Sequence, residues 1–111
     1  MLVNISNSGR SYTLCEDVYF RDEGVLVPCG FRTDFASVPK ILWSIFPPTG
    51  YYQRAALLHD YLYAYGYKSC LPRAEADASF LRQMKRDGVG VRTRYTLWLA
   101  VRLFGRRFFK A

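Results

Sequence analysis

Short apolar segments rich in β-branched and aromatic residues occupy the first quarter of the chain. They cover residues 12–15, 18–20 and 25–27, and residues 21–24 between the last two include Asp and Gly, which favour turns. Strands bounded by turn residues commonly pair with their nearest neighbour in sequence. The pattern therefore predicts a β-hairpin, which the Pro-Cys-Gly sequence that follows is expected to end.

A loop over residues 33–38 and a short apolar helix over residues 40–46 are predicted next. Ser37 is suited to the N-cap of this helix, because its hydroxyl can accept a hydrogen bond from an unpaired backbone N–H. Pro39 is suited to the first helical turn. The two prolines that follow Phe46 are expected to end the helix.

The spacing of apolar residues predicts a central helix over residues 51–65. Small or apolar side chains recur at intervals of three and four residues, which places them on one face. That face comprises Tyr52, Ala55, Ala56, His59, Leu62 and Tyr63. Because alanines allow another helix to approach closely, His59 is predicted to face a helix–helix interface. Asp60 would lie about 100° further round the helix axis.

Two more helices are predicted, over residues 73–86 and 92–104. A carboxylate occupies a core position on the first of them, whose apolar stripe comprises Ala74, Asp77, Phe80, Leu81 and Met84. The second is expected to present Leu97, Trp98 and Val101 inward. The predicted fold is α+β, with a small N-terminal β-hairpin or sheet followed by three to four packed helices. It forms a single domain of residues 1–111, with a basic tail from about 105 to 111.

Composition excludes several classes of protein. Half of the residues are hydrophobic, so extensive disorder is not expected. No apolar run reaches the ~18–20 residues of a membrane span, and the N-terminus lacks the features of a signal peptide. Three cysteines without a C-x-x-C pair argue against a zinc ribbon, and we expect them to be small buried residues in a reducing compartment. A bridge between Cys15 and Cys29 is the alternative.

Positive charge is concentrated at the C-terminal end. Residues 1–81 carry seven basic and eight acidic side chains, whereas residues 82–111 carry nine basic and one acidic. The candidate partner-binding residues are Arg92, Arg94, Arg102, Arg106, Arg107 and Lys110. They could contact phosphates of nucleic acid or lipid, with Phe108 and Phe109 as an exposed apolar anchor. They could equally bind the acidic face of another virion protein, or form a solvated surface. The oligomeric state is not indicated.

Four polar residues form a candidate site: Asp34, His59, Asp60 and Asp77. An imidazole with two or three carboxylates suits a divalent metal such as Zn²⁺, Mg²⁺ or Mn²⁺, or a general acid/base pair. A metal-activated water would then hydrolyse an ester, amide or phosphate. The single histidine excludes phosphohydrolases that need several, and no nucleophile-elbow sequence surrounds Ser37.

A purely structural role explains the same residues. Asp34 could hydrogen-bond the backbone of its own loop. His59 could donate to Asp34 or Asp77 inside the core. Asp77 could pair with Arg73 one turn earlier, or with Arg54 on the central helix.

Three segments in series, residues 30–39, 58–63 and 73–77, carry a likeness to a known family. Together they resemble small phage- and prophage-encoded proteins known only as a domain of unknown function, number thirteen fifty-three. The likeness covers roughly residues 12 to 105, and Arg32 departs from it at a position where an aliphatic residue is usual. The resemblance implies a phage or prophage origin, but it supplies no activity. We therefore expect a phage accessory protein in the host cytoplasm during infection or in the virion.

Three functions remain open at this point. The protein could be a small metal-dependent hydrolase that uses the four polar residues. It could be a non-catalytic tail, neck or assembly protein that docks through its basic C-terminal helix and tail. It could also be a host-directed effector that binds nucleic acid or a host protein.

Overall fold

A computed structural model describes residues 2–4, 12–33 and 52–109 of the chain. Short antiparallel strands at the N-terminus precede three packed helices, so the predicted α+β class is confirmed. The strands are β1 (Leu2–Asn4), β2 (Tyr12–Leu14), β3 (Val18–Phe20), β4 (Val25–Val27) and β5 (Arg32–Thr33). The helices are α1 (Gln53–Tyr65), α2 (Arg73–Arg86) and α3 (Val91–Phe104), with short 3₁₀ helices at Gly66–Ser69 and Arg106–Phe108.

The predicted hairpin is confirmed by β3 and β4, which pair antiparallel with Val18 opposite Val27. A second sheet has the order β1-β2-β5, also antiparallel. The sequence did not reveal β1 and β5, because both pair with β2 across long connections and no short hairpin turn marks them. The predicted helix over residues 40–46, with its Ser37 cap, lies outside the described residues.

The three long helices lie close to their predicted positions. α2 has the predicted bounds, α3 begins one residue earlier than predicted, and α1 begins two residues later. Gly88 ends α2 with a φ of +85°, a left-handed conformation that glycine adopts without steric cost. None of the described helices has the length and apolar character needed to cross a membrane.

α1 is the centre of the core. One face packs on α2 and α3 around Phe80 and Leu97, while the other packs on the hairpin around Phe20 and Val27. Ala74, which we predicted on the buried stripe of α2, is exposed instead. The buried face of α2 is centred on Phe80, and position 74 lies about 120° away from it round the axis.

The three cysteines are exposed, contrary to the expectation that they are buried. Cys15 follows β2, Cys29 follows β4 and Cys70 follows a 3₁₀ helix, so each lies at a turn or bend rather than inside an element. Such positions are at the surface, because buried loops would leave backbone polar groups without partners. Cysteine composition alone could not indicate this.

Glu23, in the hairpin turn, connects the β-hairpin to α2. Its carboxylate accepts hydrogen bonds from Arg82 at 2.9 Å, Arg86 at 2.6 Å and Ser79 at 3.1 Å. Burial would raise the pKa of Glu23, but these donors outweigh it and lower the pKa to about 2. The hairpin is therefore held to the helices by charge as well as by apolar packing.

Candidate functional site

His59 and Asp77 meet at the interface of α1 and α2, and both side chains are 0% exposed. The distance from His59 Nε2 to Asp77 Oδ1 is 2.7 Å. Each residue occupies a position on the buried face of its helix, and close packing of the two helices brings the side chains into contact. The prediction that His59 faces a helix–helix interface is thus confirmed.

Asp77 accepts two further hydrogen bonds, from α1 and from α3. Tyr63 donates its hydroxyl to Oδ1 at 2.6 Å, and Arg102 donates Nη1 to Oδ2 at 2.7 Å. Burial would raise the pKa of Asp77, but hydrogen bonds from His59, Tyr63 and Arg102 outweigh it, and the net pKa is lowered. One carboxylate therefore connects all three helices.

The imidazole of His59 is enclosed by aromatic rings and lies between two carboxylates. Its ring centroid is 4.1 Å from that of Tyr63 and 4.8 Å from that of Phe80. Nδ1 lies 3.7 Å from Asp60 Oδ1, on the opposite side from Asp77. Burial alone would lower the pKa of His59, but Asp60 and Asp77 outweigh it, and the net pKa is raised.

Asp60 connects this buried cluster to the sheet. The Thr33 hydroxyl of β5 donates to Asp60 Oδ2. The Asp60 side chain is 11% exposed, whereas those of His59 and Asp77 are fully buried. Asp60 therefore lies at the boundary between the cluster and solvent.

Arg73 extends the cluster to the C-terminal end of α3. Its Nη2 donates to the backbone carbonyls of Val101 at 2.7 Å and Arg102 at 2.6 Å, and its Nε donates to the Tyr63 hydroxyl at 3.1 Å. Carbonyls in the last turn of a helix lack partners within the helix. The guanidinium of Arg73 binds the carbonyl of Arg102, and it shares the carbonyl of Val101 with the N–H of Gly105. Burial and the Asp77 carboxylate together raise the pKa of Tyr63.

Three of the four predicted site residues come together in the structure, namely His59, Asp60 and Asp77. Asp34 lies outside the described residues. We grouped Arg102 with the basic partner-binding surface from the sequence. In the structure Arg102 is the arginine that pairs with Asp77, whereas Arg73 or Arg54 was predicted to do so. The sequence also gave no chemical role to Tyr63, although its position one turn after His59 could have indicated one.

The described cluster is a network of hydrogen bonds and ion pairs around the imidazole of His59. The carboxylates of Asp60 and Asp77 approach different ring nitrogens of His59, so a single ion cannot contact all three groups. Both oxygens of Asp77 already accept hydrogen bonds from protein donors. Among the residues that the structure describes, no three His, Cys, Asp or Glu side chains are grouped to hold a metal ion.

A second candidate site is the outer face of α3. Four exposed apolar residues follow one another there at four-residue intervals: Val91, Tyr95, Leu99 and Leu103. Phe104, the last residue of α3, and Phe108 beyond the helix end are exposed as well. We call these six residues the α3 ridge. Exposed guanidinium groups lie beside it at Arg92, Arg106 and Arg107.

Other residues of the predicted basic surface are placed differently. Arg94 donates to the carbonyl of Val89 at 3.2 Å, and Lys110 lies outside the described residues. Phe109 was expected to be exposed, but its ring packs against Tyr63 with centroids 5.3 Å apart. Tyr63 provides an apolar surface at the end of α1 that local sequence could not indicate. The C-terminal segment is therefore anchored to the core.

Comparison with known proteins gives one match. The model of a protein family described as "Protein of unknown function (DUF1353)" matches residues 12–101. The match includes His59, Asp60, Asp77 and Tyr63, and ends one residue before Arg102. No curated protein and no solved structure matched the chain.

Proposed function

This chain belongs to the family Protein of unknown function (DUF1353), and we propose that it is a phage- or prophage-encoded docking protein without catalytic activity of its own. In this proposal the α3 ridge binds a helix on the acidic surface of another protein, such as a virion component. The observation that carries the proposal is the row of large apolar side chains exposed along α3. The phage origin is supported by the family likeness of the three sequence segments.

The shape of the α3 ridge supports a protein partner. Side chains at four-residue intervals form a continuous ridge along a helix, and such ridges pack into the grooves of another helix. Leu99 is 50% exposed and Leu103 is 64% exposed, although both are large and apolar. Contiguous exposed apolar surface is uncommon in a protein that has no partner.

The charge of this region favours an acidic partner. Residues 82–111 carry nine basic and one acidic side chain, and guanidinium groups surround the apolar ridge. A second copy of the chain would place two such basic surfaces together, and like charges repel. An apolar centre with a charged rim is the usual arrangement of a protein–protein interface.

Nucleic acid and membrane are less suitable partners. Phosphate groups would contact the arginines but would leave Val91, Leu99 and Leu103 without apolar contacts. A helix that lies in a membrane surface buries a wide apolar face, whereas this ridge is one residue wide over most of its length.

The test is site-specific photocrosslinking from position 103 during growth of a phage that encodes the protein. We expect crosslinks to an acidic helical surface of one particle protein. Binding to that protein is then measured directly with the purified components. Leu99→Ser should weaken binding at least tenfold, and added salt should weaken it further. The matched control is Tyr19→Ser, because Tyr19 is 59% exposed on β3, away from the α3 ridge, and should not affect binding.

Three results would contradict the docking proposal. One is a stable dimer in light scattering that Leu99→Ser dissociates. Another is ridge-dependent binding to duplex DNA or to anionic phospholipid vesicles. The last is binding to the particle protein that Leu99→Ser leaves unchanged.

A metal-dependent hydrolase is the second candidate, and one observation favours it. Thr33, whose hydroxyl donates to the partly exposed Asp60, directly precedes Asp34 in the sequence. The hydrolase predicted from the sequence would use Asp34 and Asp60 as carboxylate ligands for Mg²⁺ or Mn²⁺, and Zn²⁺ would need His59 in addition. Titration with Mn²⁺ tests this: binding abolished by Asp60→Asn but retained by the exposed control Asp22→Asn would support a metal site. No binding in the intact protein would exclude these ions at the concentrations used.

A further inference from the structure

A groove of about 480 Å³ lies between β4 and the C-terminal end of α1. Val25 and Leu26 both line it, although their side chains point to opposite faces of the hairpin. No residue of β3 lines it. The groove therefore follows the edge of β4 that faces away from β3.

The outer edge of β4 has no strand beside it among the residues that the structure describes. Within the described residues, β3 is the sole strand paired with β4. Within the described part of the chain, no backbone hydrogen bond outside the helices and strands involves Val25, Leu26 or Val27. An open strand edge presents N–H and C=O groups that another extended chain can bind.

Aromatic side chains form the opposite wall. Tyr61 and Tyr65 both line the groove, with ring centroids 5.1 Å apart. Phe31 supports them edge-on, at 5.3 Å from Tyr61 and 6.2 Å from Tyr65. Tyr65 is thus held in place although it is 41% exposed, so a ligand would pay little entropy to order this wall.

The available charge in the groove is positive. Lys68 lines the groove, with its ammonium 5.3 Å from the centre of the Tyr65 ring. Among the described residues no carboxylate is paired with Lys68. Glu23 also lines the groove, but Arg82 and Arg86 neutralise it.

We infer that this groove binds an extended peptide segment of another protein, which adds to β4 as a third strand. The backbone of the segment would pair with the free edge, one side chain would pack on Tyr65, and an acidic side chain would approach Lys68. A groove between a strand edge and a helix is suited to this mode of recognition. β4 is only three residues long, so the aromatic wall supplies much of the affinity.

This site is separate from the α3 ridge, so either proposal can fail without the other. The probe is a displayed library of random linear heptapeptides, selected against the full chain. We expect enriched peptides to contain an acidic residue. Tyr65→Ala and Leu26→Ser should each weaken the best peptide at least tenfold, whereas Leu99→Ser on the α3 ridge should leave binding unchanged.

Backbone N-methylation of the selected peptide tests strand addition directly. Methyl groups at alternate positions should abolish binding, because only every second N–H of an added strand faces β4. Methylation at the intervening positions should be tolerated. Equal tolerance at all positions, binding that survives Tyr65→Ala, or no enriched peptide would each overturn the inference.

Discussion

Replacement of Asp77 by Asn is the sharpest test of the buried cluster. The change keeps the shape of the side chain but removes its charge and one acceptor oxygen. The amide oxygen can still accept from His59 and Tyr63, but the amide nitrogen then faces the guanidinium of Arg102. The N–H groups of the new amide and of the Arg102 guanidinium would then face each other without an acceptor between them. Arg102 and the protonated His59 would both lose the negative charge of Asp77.

The expected loss of stability follows from the complete burial of the Asp77 side chain. Removal of one partner from a buried ion pair costs about 3–5 kcal/mol, because the other charge is left uncompensated. Arg102 is 32% exposed, so water can compensate part of its charge and the lower end of this range applies. For 111 residues, an unfolding entropy of about 2.1 cal/mol/K per residue converts ~3 kcal/mol into a fall of about 13 °C in Tm.

The assay is urea unfolding at pH 6 with thermal unfolding in parallel. The matched control is Glu75→Gln, because Glu75 pairs with Arg82 at 2.8 Å but is 48% exposed. An exposed pair is worth at most about 1 kcal/mol, so the control should change stability little. If Asp77→Asn is within about 1 kcal/mol of the original protein, the argument that a buried carboxylate holds the three helices together is refuted.

Further predictions concern pH, the hairpin and the end of α3. Because the pKa of His59 is raised above 6.5, its contribution to stability is complete below about pH 6.5 and is lost as pH rises through the folded-state pKa. NMR of the single imidazole should show this upward shift, and a midpoint at or below 6.5 would contradict it. Glu23→Gln should cost about 1.5–3 kcal/mol in urea unfolding, since its bonds to Arg82 and Arg86 are charge-assisted, and no change would show that the connection is unimportant. Gly105→Ala should destabilise by about 1–3 kcal/mol, because its Cβ would lie 2.5 Å from the Val101 carbonyl oxygen and 2.9 Å from the Tyr63 hydroxyl. Gly90→Ala is the matched control, with no atom within 4 Å of the added Cβ, and equal effects of the two would refute the steric argument.

The identity and placement of the main elements could be predicted from local sequence. Periodicity located α1, α2 and α3 to within two residues, because an amphipathic helix repeats its buried positions over several turns. The hairpin of β3 and β4 was equally evident from its turn. β1 and β5 were not, since their pairing with β2 depends on residues distant in sequence.

The candidate site, like the fold, could be predicted from the sequence only in part. The sequence by itself determined that His59 and Asp77 are buried, because each occupies an apolar face of its own helix. Only the tertiary structure decided their partners: Arg102 reaches Asp77 from α3, and Arg73 turns away to the end of that helix. Helix periodicity specifies which direction a side chain faces, but the packing of one helix against another specifies what it meets.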